Sequence, residues 1–111
     1  MSGAREQLLS ALAQFAAQPL SVPDLGGGLY VRPLTVGGMA RIHAAQQRTP
    51  ERVPSLMIID ALVDEKGVRV FGDDDEAKIA DMPMRIAEQV IAAIDNVSAL
   101  RPRSAEAATG N

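Results

Sequence analysis

Apolar positions follow a helical period through most of this chain and a strand-like pattern in two short stretches. Leu8, Leu12 and Phe15 share one face of a helix predicted over residues 4–17, with Leu9, Ala13 and Ala16 beside them. Ser2 is its expected N-cap. Pro19 is its expected stop, because the residue before a proline is pushed out of the α region. Residues 20–34 read as a β-hairpin. Val22 and Leu25 fall on its first strand, Leu29, Val31 and Leu34 on its second, and Gly26-Gly27-Gly28 forms the turn. Pro23 marks that first strand as an edge strand.

Thr35 is the expected N-cap of a helix through Gln47, with Met39, Ile42 and His43 on a narrow apolar side. Gly37 and Gly38 each weaken its first turn by about 1 kcal/mol relative to alanine. After a polar loop at residues 48–52, the most apolar segment predicts a core helix over residues 53–63. Pro54 lies in its first turn, and Leu56, Ile59, Leu62 and Val63 run along one side, flanked by Met57 and Ile58. A second hairpin turns at Glu65-Lys66-Gly67, and a helix starts at Asp73 with Asp73 and Glu76 placed as a capping box. The last helix, residues 83–100, carries a stripe of Ile86, Val90, Ile94 and Val97, broadened by Ala87, Ile91 and Ala93. The expected fold is α+β: one predominantly helical domain over residues 1–100 with two short β-hairpins. A small, polar, aperiodic tail at residues 101–111 is expected to be flexible and disordered.

Composition narrows the function classes. With 111 residues and 47% hydrophobic content, the chain can bury one modest core, filled by aliphatic residues and methionine since aromatics are 3%. A net charge of -3 argues against a nucleic-acid binder. The absence of cysteine removes disulfides, thiolate zinc sites and cysteine nucleophiles. No run approaches the length of a membrane span, and no signal peptide is expected. Charge is uneven. Residues 5–52 hold five arginines against three acids, whereas residues 60–95 hold ten acids against four bases. Surface solvation explains this asymmetry, and head-to-tail self-association is the sharper alternative.

Candidate chemistry is sparse. The acids from Asp64 to Glu76 lack the spacing of a calcium loop and read as a turn and a helix start. His43 has no second histidine or cysteine to complete a metal site and reads as a surface or boundary residue. Ser10, Ser21, Ser55 and Ser98 lie in no nucleophile elbow. The glycine turn is followed by a strand and has no lysine nearby, so it is not a phosphate loop. Met39, Met57, Met82 and Met84 read as gap fillers, with an adaptable apolar surface for a helical partner as the minority reading. No catalytic, cofactor-binding or metal-ligating residue is expected.

The order of these pieces resembles the tail assembly chaperone family of long-tailed bacteriophages and prophages. An amphipathic helix is followed by SVPDLGGGLYVRPLTVGG at residues 21–38. LVDEKGVRVFGDDDEAKIADMP at residues 62–83 then precedes a final amphipathic helix. The resemblance lies in this ordered combination rather than in any one motif. It implies a non-enzymatic protein of the host cytoplasm that binds the phage tape measure protein, keeps its apolar helices soluble and assists tail tube assembly. It admits the tail tube protein and further copies of the chain as additional partners. It also implies absence from the finished virion and, in many members, a longer frameshifted form. The alternative is a small self-assembling structural subunit of a phage tail or head-tail connector.

Overall fold

The computed structural model describes residues 3–12 and 17–99. The described residues form five helices and a small antiparallel sheet, in agreement with the expected α+β, mostly helical class. The helices are α1 (Gly3–Leu12), α2 (Val36–Arg48), α3 (Val53–Ala61), α4 (Glu76–Ala80) and α5 (Met84–Ala99). The strands are β1 (Gln18–Pro19), β2 (Tyr30–Val31) and β3 (Leu62–Val63), in the order β1-β2-β3.

α3 is the hub. It packs against α2, α4 and α5, and Leu56, Ile58, Ile59, Asp60 and Ala61 are all buried. The one-sided helix expected here is instead apolar on nearly every side, as a helix enclosed by neighbours must be. It also ends earlier than expected. Leu62 is extended, and Leu62–Val63 leave the helix to pair with β2, Val31 opposite Leu62 and Tyr30 opposite Val63. β-branched and aliphatic side chains suit that half-enclosed pleated position. Burial of Ile58, Ile59 and Ile94 at 0–1% exposure contributes about 1.5–3 kcal/mol per side chain. Val90, Ile94 and Val97 of α5 are buried as their spacing predicts.

The first hairpin forms, but its outer strand lies earlier than expected. β1 pairs with β2 as Gln18 opposite Val31 and Pro19 opposite Tyr30. Pro19 sits in that outer strand, Ala17 before it is not helical, and the end of the first helix lies outside the described residues. An edge strand tolerates it because one side needs no backbone donor. Pro23 begins a short 3-10 turn, Pro23–Leu25, so Val22 and Leu25 are not strand residues. Gly26 and Gly28 take φ of 76° and 83°, a conformation that glycine adopts without strain.

The second turn is built as predicted. Asp64 Oδ1 accepts from the Lys66 and Val68 amides at 2.8 and 3.0 Å, and Gly67 has φ 82°. The strand after it reduces to one bridge, Val63 opposite Arg69, and Val68 and Val70 are exposed. The helix start differs by one residue from the expected box. Gly72 is the N-cap of the 3-10 turn Asp73–Asp75, and its amide donates to Asp75 Oδ2 at 2.8 Å. Asp73 and Glu76 are thereby left to pair elsewhere. Ser2, residues 13–16 of the predicted first helix with Phe15, Leu100 and the predicted tail at residues 101–111 lie outside the described residues.

Candidate interaction surface

The surface rests on a junction between α2 and α3. Thr35 caps α2 as predicted, its Oγ1 accepting from the Gly38 amide at 2.9 Å. The same hydroxyl donates to Asp60 Oδ1 at 2.8 Å, and the Thr35 amide donates to Asp60 Oδ2 at 2.8 Å. One carboxylate thus grips both polar groups of the cap. Arg32 completes the junction by donating through Nε and Nη2 to the Asp60 carbonyl, at 3.0 and 2.8 Å. That carbonyl lies in the last turn of α3, where no helical amide follows to satisfy it. The Arg32 amide donates to the Ala61 carbonyl at 3.0 Å, so the connection from β2 to α2 is tied to the end of α3. Farther along, the Leu34 amide donates to Ser98 Oγ at 3.0 Å and joins α5 to the same connection. Sequence reasoning did not select Arg32 or Asp60. The signal was a lone acid in the most apolar segment, VPSLMIIDALV, where burial demands partners.

This junction fixes which face of α2 is outward. Gly38, Ile42 and Ala45 are buried, whereas Met39 and His43, expected on the apolar side, are exposed. Arg41 and Arg52 reach the acidic segment. Arg41 Nη1 lies 2.9 Å from Asp73 Oδ1, which Arg69 Nη1 also approaches at 3.3 Å. Arg52 forms a fork on Glu76, at 2.8 and 2.9 Å. Hydrogen bonding from Arg41 holds the Asp73 carboxyl below the usual carboxylate range. Hydrogen bonding from Arg52 does the same for Glu76, and the same contact raises the Arg52 guanidinium above its ordinary value. Within the acidic block, Asp73 and Glu76 are therefore arginine partners, while Asp75 accepts from the Gly72 amide and lies 3.6 Å from Lys78. Among the described residues, no group of acids or histidine is arranged to hold a metal ion.

Between these elements lies an open groove of about 330 Å³, lined by the exposed Arg41, Ala44, Arg48 and Arg52, by Thr49, and by the buried Ala45 and Leu56. A second exposed feature is α1, none of whose residues is buried. Leu8, Leu9 and Leu12 are 59%, 47% and 52% exposed. Periodicity located that apolar face but not its exposure. Met84 is exposed, while Met57 and Met82 are partly buried against the core. No helix among the described residues is long and apolar enough to cross a membrane.

Neither a family model nor a curated protein matches the sequence. A solved structure matches the fold: that of the bacteriophage HK97 tail assembly chaperone, with a TM-score of 0.69, covering 92% of this chain and 100% of that one, at 19% sequence identity. The chain therefore has a tail assembly chaperone fold, shared through backbone architecture across nearly its whole length rather than through sequence.

Proposed function

We propose that this protein is a non-enzymatic phage tail assembly chaperone. It binds the tape measure protein in the host cytoplasm, keeps it soluble and assists assembly of the tail tube around it. The observation that carries this reading is the end-to-end match of fold to the HK97 chaperone.

The surface supports the same reading. A chaperone of long apolar helices has to offer apolar area without being sticky on all sides. Leu8, Leu9 and Leu12 supply such area on α1, while Arg41 and Arg48 on α2 and Lys78 on α4 place charge elsewhere on the surface. The contact is one of binding and release, with no bond made or broken in the client.

Co-expression with the tape measure protein encoded beside it tests the proposal. The expected outcome is a larger soluble fraction of the tape measure protein and a recoverable complex. Unchanged solubility with no complex would refute it. Mass spectrometry of purified virions separates a chaperone, which is absent, from a self-assembling structural subunit, which is present in many copies.

A further inference from the structure

We infer that the groove between α2 and the start of α3 binds an acidic amphipathic helix of a partner protein, gripping carboxylates two helical turns apart. The inference rests on the chaperone reading for the identity of the partner, not for the chemistry of the groove.

Arg41 and Arg48 are seven residues apart on α2, so they lie on one side of it about 10.5 Å apart along its axis. Arg52 stands across from them at the end of the turn Pro50–Arg52. Two of the three guanidiniums already hold carboxylates of this chain. Arg41 holds Asp73 at 2.9 Å and Arg52 holds Glu76 as a fork. Those pairs show that the rim receives carboxylates in good geometry, and they leave the outer faces of the guanidiniums open, since the Arg41 and Arg52 side chains are 55% and 48% exposed. Arg48 is exposed and has no carboxylate partner among the described residues.

The floor selects the form of the anion. Ala44 and Ala45 are short enough for a helix backbone to approach closely, and Leu56 offers an aliphatic contact beneath. An occupant needs negative charge at the rim and an aliphatic side chain between, with the charges repeating at the spacing of Arg41 and Arg48. An α-helix with acids at i and i+7 and leucine between them meets all three demands. A nucleic acid meets only the first. Asp73 and Glu76, held against Arg41 and Arg52, already offset two of the three cations, which disfavours a uniform polyanion more than a helix carrying two spaced acids.

The test uses the full-length protein and a synthetic alanine-based helix with two glutamates seven residues apart and leucine between them, labelled for fluorescence anisotropy. The control peptide carries lysine for both glutamates. Saturable binding of the acidic peptide is expected, about tenfold weaker in Arg48→Glu and weakened by added salt. Amide shifts should concentrate on residues 41–56. Arg48 makes no ion pair among the described residues, so R48E should lower the melting temperature only slightly, through loss of a cation in the last turn of α2, and that measurement accompanies the titration. Equal binding of both peptides, shifts mapping elsewhere, or equally tight binding of a DNA oligonucleotide would overturn the inference. So would an R48E effect confined to self-association in light scattering. Co-expression with the tape measure protein is scored separately, so loss of the groove and loss of the chaperone role are read by different experiments.

Discussion

Gly38 and Asp60 meet so closely that a β-carbon on Gly38 would overlap the Asp60 carboxylate. The glycine sits in the first turn of α2 and the acid in the last turn of α3. Their approach brings the carboxylate to the Thr35 amide and hydroxyl. A residue that weakens its own helix is therefore what permits the helix to dock.

Gly38→Ala should destabilise the fold by about 1–3 kcal/mol, because overpacking against a fixed carboxylate outweighs the gain in helix propensity. Gly37→Ala should do the opposite. Nothing lies within 4 Å of a β-carbon at Gly37, so the substitution should stabilise by about 0.4–1 kcal/mol. Urea unfolding of the two variants checks both signs, and equal effects would show that the Asp60 contact is irrelevant.

Asp60→Asn should cost about 1–3 kcal/mol. An amide offers one oxygen where two donors from Thr35 converge, so one donor faces an N–H group instead. Thr35→Ala removes one of the same bonds together with the helix cap, so the two losses should not add in the double variant. Additive losses in denaturant titrations would mean that the two residues act independently.

Acid should weaken the fold through the arginine partners. Asp73 and Glu76 have folded-state pKa values lowered chiefly by hydrogen bonds from Arg41 and Arg52. A lowered value gives stability that is present above the unfolded pKa, about 4, and is lost as pH falls through the folded one. The pairs are exposed, so the effect should be modest and should shrink with salt. Glu76→Gln should flatten part of the decline in urea midpoint below about pH 4. An unchanged slope would place the acid sensitivity in other groups.

Leu8→Ser with Leu12→Ser should leave the melting temperature nearly unchanged, since both side chains are more than half exposed. The same pair should lower recovery of the tape measure protein in the soluble fraction. A large drop in melting temperature would show that the leucines pack within the fold, and undiminished recovery would move the client contact away from α1.

Much of the architecture was legible because it depends on neighbours in sequence. The cap at Thr35 needs only the Gly38 amide three residues on, and the turn at Asp64 needs only amides two and four residues on. The stripe Val90, Ile94 and Val97 fixes the buried side of α5 through helical period alone. Where two local rules competed, the tertiary partner chose between them. Leu62 and Val63 fit the end of an apolar helix and also a strand, and pairing with β2 settled them as a strand.

The sequence by itself determined the number and order of the helices, the two turns and the apolar face of α1, because short-range hydrogen bonds and side-chain period specify them. Only the tertiary structure decided what those elements meet. Arg32 reaches Asp60 across 28 positions and Arg41 reaches Asp73 across 32. No local pattern encodes such pairings, since the first depends on the β2–α2 connection meeting the end of α3 and the second on the turn Asp73–Asp75 reaching α2. The docking of α2 against α3 makes Gly38 a point of close approach and gathers three arginines around one groove with Ala45 and Leu56, while the approach of α2 to the acidic segment turns Asp73 into an arginine partner.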